Sequence, residues 1–152
     1  MRQILIRILV TTLLILSLIL LVAFNVGYFL GGPMVLAKIT DQNIMNNMEK
    51  SNNRSNCELI SRFADEDIYY VAKCDNDYIF YNDDAIVLAI RAVSNLNITA
   101  TTEMYEAFYD LKDAEIKLGY YDEHPVYVFS NKKLELLINI DNLEVLRYYQ
   151  KG

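Results

Sequence analysis

Apolar residues run almost unbroken near the start of the chain and alternate with polar residues in the rest of it. No charged residue lies between Arg7 and Lys38, and Leu, Ile, Val and Phe dominate from Ile8 to Leu30. At a helical rise of about 1.5 Å per residue this stretch is about 35 Å long, whereas a hydrocarbon core is about 30 Å thick. The pattern therefore predicts a transmembrane helix over residues 8–30.

The charges around this helix predict its orientation. Arg2 and Arg7 precede it and acidic residues dominate beyond it, so the positive-inside rule places residues 1–7 in the cytoplasm and the rest outside. A cleaved signal peptide is the alternative, but no small-residue cleavage site is evident. Lipid modification would need a Cys at the end of the apolar run, and the first is Cys57. The prediction is a single-pass protein of the cell membrane.

Flexible residues separate this helix from the next part of the chain. Gly31-Gly32-Pro33 is expected to end the span, with Pro33 opening a short helix. Within that helix Ile44, Met45 and Met48 form one apolar stripe.

Two strand-like runs, 57–63 and 68–74, then indicate a hairpin. If Asp65 and Glu66 are its turn residues, opposite partners follow from the count. The expected pairs are Phe63 with Ile68, Ile60 with Val71, Leu59 with Ala72, Glu58 with Lys73 and Cys57 with Cys74.

Cys57 and Cys74, the only two cysteines, have two interpretations. A disulfide would staple the hairpin, because the expected register places the pair where antiparallel backbones approach most closely. The preferred interpretation is a pair of reduced, buried thiols, since cross-strand bridges are often strained. Two Cys and one distant His give neither the number nor the spacing of ligands that zinc needs, so no metal site is expected.

The rest of the chain predicts a sheet covered by a helix. Residues 78–81 and 86–93 are apolar runs; the second is expected to be a strand rather than a buried helix turn because β-branched residues dominate it. Residues 101–112 predict a helix capped by Thr101 or Thr102, with Met104, Phe108 and Leu111 facing the sheet. Strands 114–121, 125–130, 134–140 and 143–149 then form an antiparallel meander. Its expected apolar face carries Tyr127, Phe129, Leu134, Leu136, Ile138, Ile140, Leu143, Val145 and Tyr149. The fold class is α+β.

Several of these segments resemble a known family. Leu118-Gly119-Tyr120, the strand 125–129 and the hairpin 136–149 resemble the PepSY-like repeat of TseB-like cell wall elongation regulators, and 68–73 with 78–81 resemble the strands of that family's first module. The resemblance implies a membrane anchor followed by two small cystatin-like (PepSY-like) modules, at 34–93 and 97–150, each a helix packed on an antiparallel sheet. Tyr127 stands where the family usually has Trp, and Leu143 near a usual turn Gly.

The resemblance also implies a function. It implies a non-catalytic, extracytoplasmic protein of the bacterial cell envelope that regulates wall elongation through a penicillin-binding protein or another wall-synthesis protein. The alternative is an envelope protease inhibitor or a chaperone-like module, because related PepSY sheets are associated with restraining peptidases.

The net charge and the available side-chain chemistry limit the classes of partner and ligand that the chain is expected to bind. Beyond Arg2 and Arg7, 12 basic residues face 20 acidic ones, a net charge of −8, so nucleic acid is a poor partner. The acidic stretches 65–67, 75–77 and 82–84 lack the full spacing of a calcium loop and fit turns. No nucleophile motif accompanies His124, the only histidine. The expectation is a protein that is not an enzyme and takes no cofactor or small-molecule substrate.

Tyrosine is the compositional feature with a functional interpretation. The chain has 12 Tyr and no Trp, and adjacent Tyr pairs must place one ring on each side of a strand. Outward rings often anchor protein partners. The candidate partner-binding residues are therefore Tyr120, Tyr121, His124 and Tyr148. Half-buried rings that merely cover a thin sheet are the better explanation for any single Tyr, and an interface is the interpretation for the group.

Overall fold

The computed structural model describes the backbone of residues 2–151 and the side chains of residues 7, 9, 11–25 and 36–151. It is an α+β structure with two four-stranded antiparallel sheets. The elements are α1 (Arg2–Ser51), β1 (Cys57–Ala64), β2 (Ile68–Cys74), β3 (Asp77–Asn82), β4 (Val87–Ala92), a short 3₁₀ turn (Val93–Asn95), α2 (Ile98–Glu106), β5 (Glu115–Tyr121), β6 (His124–Ser130), β7 (Leu134–Asn139) and β8 (Val145–Gln150).

The chain divides into two units, residues 1–41 and 42–152. The first is helical. Because α1 is one helix from Arg2 to Ser51, the break expected at Gly31-Gly32-Pro33 does not occur. The side chains of 26–35, which include those three residues and the end of the predicted span 8–30, lie outside the described residues. Among the described residues, no helix holds an apolar stretch long enough to cross a membrane.

The second unit begins with the end of α1 and continues with sheet 1, in the order β1-β2-β3-β4. Its first hairpin has the expected register only at the open end, where Cys57, Glu58 and Leu59 face Cys74, Lys73 and Ala72. A bulge at Ile60 then shifts the register by one residue, so Ala64 rather than Phe63 faces Ile68. The expected pairs of Phe63 with Ile68 and Ile60 with Val71 were wrong, because the turn holds three residues and the bulge absorbs the difference. The run 86–93 is a strand, as expected.

The end of α1 covers one face of sheet 1. Met45 and Met48 of the predicted stripe are buried there, in a cluster with Tyr70, Ala72, Cys74, Ile79, Tyr81 and Ala85. The carboxylate of Glu49 accepts a hydrogen bond from the Cys57 backbone N–H at 2.7 Å. These contacts fix the point where the chain leaves the helix and enters β1.

Cys57 and Cys74 form a disulfide across the first hairpin, with their Cα atoms 4.3 Å apart. The preferred expectation of two reduced thiols is therefore not what the structure contains. The inferred register was correct at this end of the hairpin, and the closely spaced backbones accommodate the bridge.

Sheet 2 is the expected meander β5-β6-β7-β8. A register shift in β8 separates the pairs Leu137–Arg147 and Ile138–Val145. Tyr148 therefore pairs with Leu136 on the apolar side and Tyr149 with Glu135 on the other, and the two rings are 48% and 56% exposed. The expectation that Tyr149 joins the apolar face was wrong, since a bulge reverses the alternation beyond it.

Helix α2 begins and ends earlier than residues 101–112. Its cap is Asn97, whose side chain accepts a hydrogen bond from the Ala100 backbone N–H at 3.0 Å. Thr101 and Thr102 lie inside the helix and donate to carbonyls one turn earlier. The expected caps were therefore wrong.

The expected apolar stripe of α2 was also wrong in part. Met104 is 50% and Phe108 77% exposed, and only Leu111, which lies beyond the helix, is buried. Tyr105 packs on the sheet 2 core instead, and its hydroxyl donates to the Leu143 carbonyl. Because α2 ends at Glu106, a stripe counted on to residue 111 does not describe one helical face.

The two sheets share one core. Val71 and Phe80 of sheet 1 are fully buried in the cluster that holds Leu118, Tyr127, Phe129, Leu134, Leu136 and Ile138 of sheet 2. The inner edge strands also approach closely: Ser61 Oγ donates to the Leu118 carbonyl at 2.6 Å. A Cβ at Gly119 would lie 2.9 Å from the Phe63 ring, so the absence of a side chain permits this approach.

Candidate functional site

Three hairpin turns meet at one end of the second unit and enclose an open cleft of about 610 Å³. Asp67 comes from the β1–β2 turn, Asp83 and Asp84 from the β3–β4 turn, and Glu123 from the β5–β6 turn. A neighbouring cleft of about 300 Å³ shares Asp67 and Glu123, and its further acidic residues are Asp65, Glu66 and Asp122. We call the two together the acidic cleft.

Two tyrosines form the wall of the acidic cleft. The ring centroids of Tyr69 and Tyr120 lie 5.3 Å apart. The Tyr120 hydroxyl donates to the Glu123 carbonyl at 3.0 Å. Burial, followed by the neighbouring carboxylates, raises the pKa of both phenols, so both rings stay neutral at physiological pH. The wall is therefore an uncharged aromatic surface that is only partly buried.

The turns that supply the carboxylates have unusual backbone conformations. Asp122 and Glu123 both have positive φ, of 47° and 63°, and form the two-residue turn of the β5–β6 hairpin. A hairpin of this length favours such angles, which Gly or Asn adopts most readily. Ala85, in the β3–β4 turn, has φ 63°. Left-handed backbone costs an L-residue about 1–2 kcal/mol. The turns that position the carboxylates are therefore conformationally strained.

Most carboxylates of the acidic cleft have no cationic partner. Arg147 binds Asp65 at 2.7 Å and lies 5.6 Å from the centre of the Tyr121 ring. Within residues 36–151, no ion pair reaches Asp67, Asp83, Asp84 or Glu123. The acidic cleft therefore carries a concentrated negative field beside neutral aromatic surface.

An ion pair joins the two sheets close to this site. The Arg91 guanidinium on β4 donates to both carboxylate oxygens of Asp141 in the β7–β8 turn, at 2.6 and 2.5 Å. These hydrogen bonds, with a smaller contribution from His124, hold the pKa of Asp141 below its usual range.

We expect the stability contributed by Asp141 to fade in acid. Because the folded pKa is lowered, the contribution is complete above the ordinary carboxyl range and is lost as pH falls through the folded pKa. The two side chains are 29% and 44% exposed, so the contribution at pH 7 should be only about 0.5–1 kcal/mol. Urea unfolding of the wild type and Asp141→Asn measures it at pH 7 and again in strong acid, where the difference should vanish.

Asp113→Asn is the control for that measurement, because Asp113 is an exposed turn residue with φ 57° that Asn tolerates. It should change stability little at either pH. An equal loss for Asp141→Asn at both pH values would contradict an ionic origin.

The structure brings three of the four predicted partner-binding residues together. Tyr120, Tyr121 and His124 surround the β5–β6 turn, with Tyr121 opposite an exposed His124. Tyr148 lies elsewhere. The pairing of the strands aligns it with Ile116 of β5, which is four residues from Tyr120. The centroid of its ring lies 5.2 Å from that of Tyr109. The predicted patch is therefore not one surface.

The acidic residues of the cleft were seen in the sequence only as turn residues. Their signal is that the β1–β2, β3–β4 and β5–β6 turns are all acidic, at 65–67, 82–84 and 122–123. In an antiparallel meander, alternate turns lie at the same end. This places 65–67 and 82–84 together, but the meeting with 122–123 depends on how the two sheets pack.

Tyr127 is one of the large side chains of the shared core. Its ring is buried in the shared core, and burial raises the pKa of its hydroxyl. Leu143, in the β7–β8 turn, has φ 59°, a backbone conformation that Gly adopts at no steric cost.

Among the residues described, no group of three or more His, Cys, Asp or Glu has the arrangement to hold a metal ion. No protein-family model, curated protein or solved structure matches the chain.

Proposed function

We propose that this chain is a non-catalytic, membrane-anchored interaction module of the bacterial cell envelope. It regulates cell wall elongation by binding a penicillin-binding protein or another wall-synthesis protein outside the membrane. The observation that carries the proposal is the acidic cleft, whose unpaired carboxylates and neutral rings suit a basic surface on the partner.

The N-terminal helix supports the anchor in this proposal. Its described side chains from Leu9 to Phe24 include many large apolar ones that are more than half exposed. The polar side chains of Thr11, Ser17 and Asn25 donate to carbonyls one turn earlier in the same helix, which satisfies them without water. A tether of this kind raises the effective concentration of the module for any partner in the same membrane.

The arrangement of helices supports two cystatin-like modules. The end of α1 packs on sheet 1 through Met45 and Met48, and α2 packs on the sheet 2 core through Tyr105. Each half of the second unit thus has a helix against an antiparallel sheet. The shared core makes the pair one folded body, which is suited to present the acidic cleft as a rigid surface.

Photo-crosslinking in living cells tests this function. A benzoyl-phenylalanine at Tyr121, beside the acidic cleft, should capture a wall-synthesis protein from the envelope. The same probe at Phe108, an exposed ring that does not line the acidic cleft, is the matched control and should not capture that protein. Deletion of the chain should alter cell shape or sensitivity to wall-directed antibiotics.

Two results would overturn the proposal. One is capture of unrelated proteins at Tyr121 together with unchanged shape and antibiotic sensitivity. The other is capture of an envelope protease that the purified full chain inhibits, which would establish the inhibitor alternative instead.

A further inference from the structure

The outer edge of sheet 1 is an unpaired strand. Strand β4 pairs with β3 on one side, and the sheet order ends there. The Val93 backbone N–H donates to the Asn76 carbonyl at 2.7 Å. Because backbone groups alternate in direction along an antiparallel strand, those of Ile90 and Ala92 point away from β3. Within residues 36–151 the Ile90 N–H has no hydrogen-bond partner.

This edge lacks the features that usually protect edge strands. Ile86, Leu88 and Ile90 are 57%, 37% and 43% exposed. The strand Val87–Ala92 contains neither Lys nor Pro, two residues that commonly block edge pairing. Its one charge, Arg91, is bound to Asp141 and donates to the Ile90 carbonyl at 2.8 Å. That carbonyl keeps a second lone pair for another donor.

The acidic cleft adjoins this edge directly. Asp83 and Asp84 precede β4, and Leu88, at an irregularity in the β3–β4 register, lines the cleft. Bulges of this kind turn a side chain away from the regular alternation. An extended chain that paired with Ile90 and Ala92 would therefore run past the unpaired carboxylates as it continued beyond Leu88.

We propose that β4 takes an extended, basic segment of the partner protein as a fifth strand of sheet 1. Backbone hydrogen bonds to Ile90 and Ala92 hold the segment, its apolar side chains cover Ile86 and Ile90, and a Lys or Arg beyond them enters the acidic cleft. The proposal rests on the proposed function, since it names how the interaction module engages its partner.

The other edges fit this role less well. The inner edges, β1 and β5, approach each other through Ser61 and Leu118. The outer edge of sheet 2, β8, carries exposed Tyr149 and has Arg147 bound to Asp65. It has apolar surface, but Arg147 places a positive charge on this edge and pairs with Asp65, the residue of the acidic cleft that it reaches. Charge complementarity to a basic segment therefore selects β4.

Amide hydrogen exchange on the full chain in detergent micelles tests the docking. The probe is a peptide of alternating valine and threonine with two lysines at each end, and its counterpart with glutamates is the control. The lysine peptide should slow exchange of the Ile90 and Ala92 amides at least about tenfold at saturation, and the glutamate peptide should not. The β8 amides should be unchanged by either.

Matched variants localise the binding. Ile90→Lys should weaken the lysine peptide at least about tenfold, and Tyr149→Lys, the same change on the other outer edge, should not. Asp83→Asn with Asp84→Asn should weaken it about threefold or more and reduce its salt dependence, whereas Asp113→Asn should have no effect. Unchanged circular dichroism verifies that each variant is folded.

The outcomes separate this docking from the proposed function. Equal protection by both peptides, protection at β8, or no protection would overturn the docking, and capture of a wall-synthesis protein at Tyr121 would still stand. Protection of β4 without any such capture would support the docking and refute the wall-synthesis assignment.

Discussion

Phe80→Ala is expected to lower the free energy of unfolding by about 3–5 kcal/mol and to destabilise both sheets at once. Phe80 is fully buried, and it lies in the same cluster as Leu118, Tyr127 and Phe129 of sheet 2. Its removal leaves a cavity that neither sheet can fill alone. Urea unfolding, followed by far-ultraviolet circular dichroism and by tyrosine fluorescence, should show one transition that moves to lower denaturant with both probes.

Phe108→Ala is the control for that prediction. The same side chain is removed from a position that is 77% exposed, so stability should change by less than about 0.5 kcal/mol. A shared core would be contradicted by two separate unfolding transitions in the wild type. It would also be contradicted if Phe80→Ala lowered stability as measured by only one of the two probes.

The sequence predicted the strands well because their patterns are local. The four strands of sheet 2 follow from alternating apolar positions broken by turn residues, and Leu136 and Ile138 were placed on the correct face. The end of that face was predicted wrongly. A single extra residue in β8 exchanges the sides of the sheet on which Tyr148 and Tyr149 lie. Nothing in the local alternation indicates where such a bulge occurs.

Helix α2 shows a different limit. The spacing of Met104, Phe108 and Leu111 fits a helical stripe, but the helix ends at Glu106 and the chain then turns. The side chain held on sheet 2 is Tyr105, through the Leu143 carbonyl, rather than Met104 or Phe108. Periodicity in a short segment does not distinguish a helical face from a coincidence of spacing.

The acidic cleft was the feature least accessible to sequence reasoning. Its residues were recognised as turns, and Tyr120, Tyr121 and His124 were selected for their chemistry, but the juxtaposition of three turns comes from the packing of sheet 1 on sheet 2. Long-range contacts such as Arg91 with Asp141 accompany that packing. Each is visible in the sequence only as one more charged residue.

Loss of the Cys57–Cys74 bridge is expected to cost about 3 kcal/mol, the value for a closed loop of this size, since the two cysteines are 17 positions apart in the sequence. Strand β1 has a ladder partner on one side only, and the bridge holds its first residue to β2. Urea unfolding of the wild type with and without dithiothreitol measures the contribution, because reduction removes the cross-link and leaves both side chains in place.

The double variant Cys57→Ala with Cys74→Ala separates the cross-link from packing. It should be at least as unstable as the reduced wild type, because Cys74 is fully buried beside Met48 and its truncation also loses contacts, and dithiothreitol should not change it. Since the Cys57 backbone is bound by Glu49, both forms should also show faster amide exchange at the end of α1. Two free thiols in the untreated protein, or equal stability with and without the reductant, would contradict the bridge.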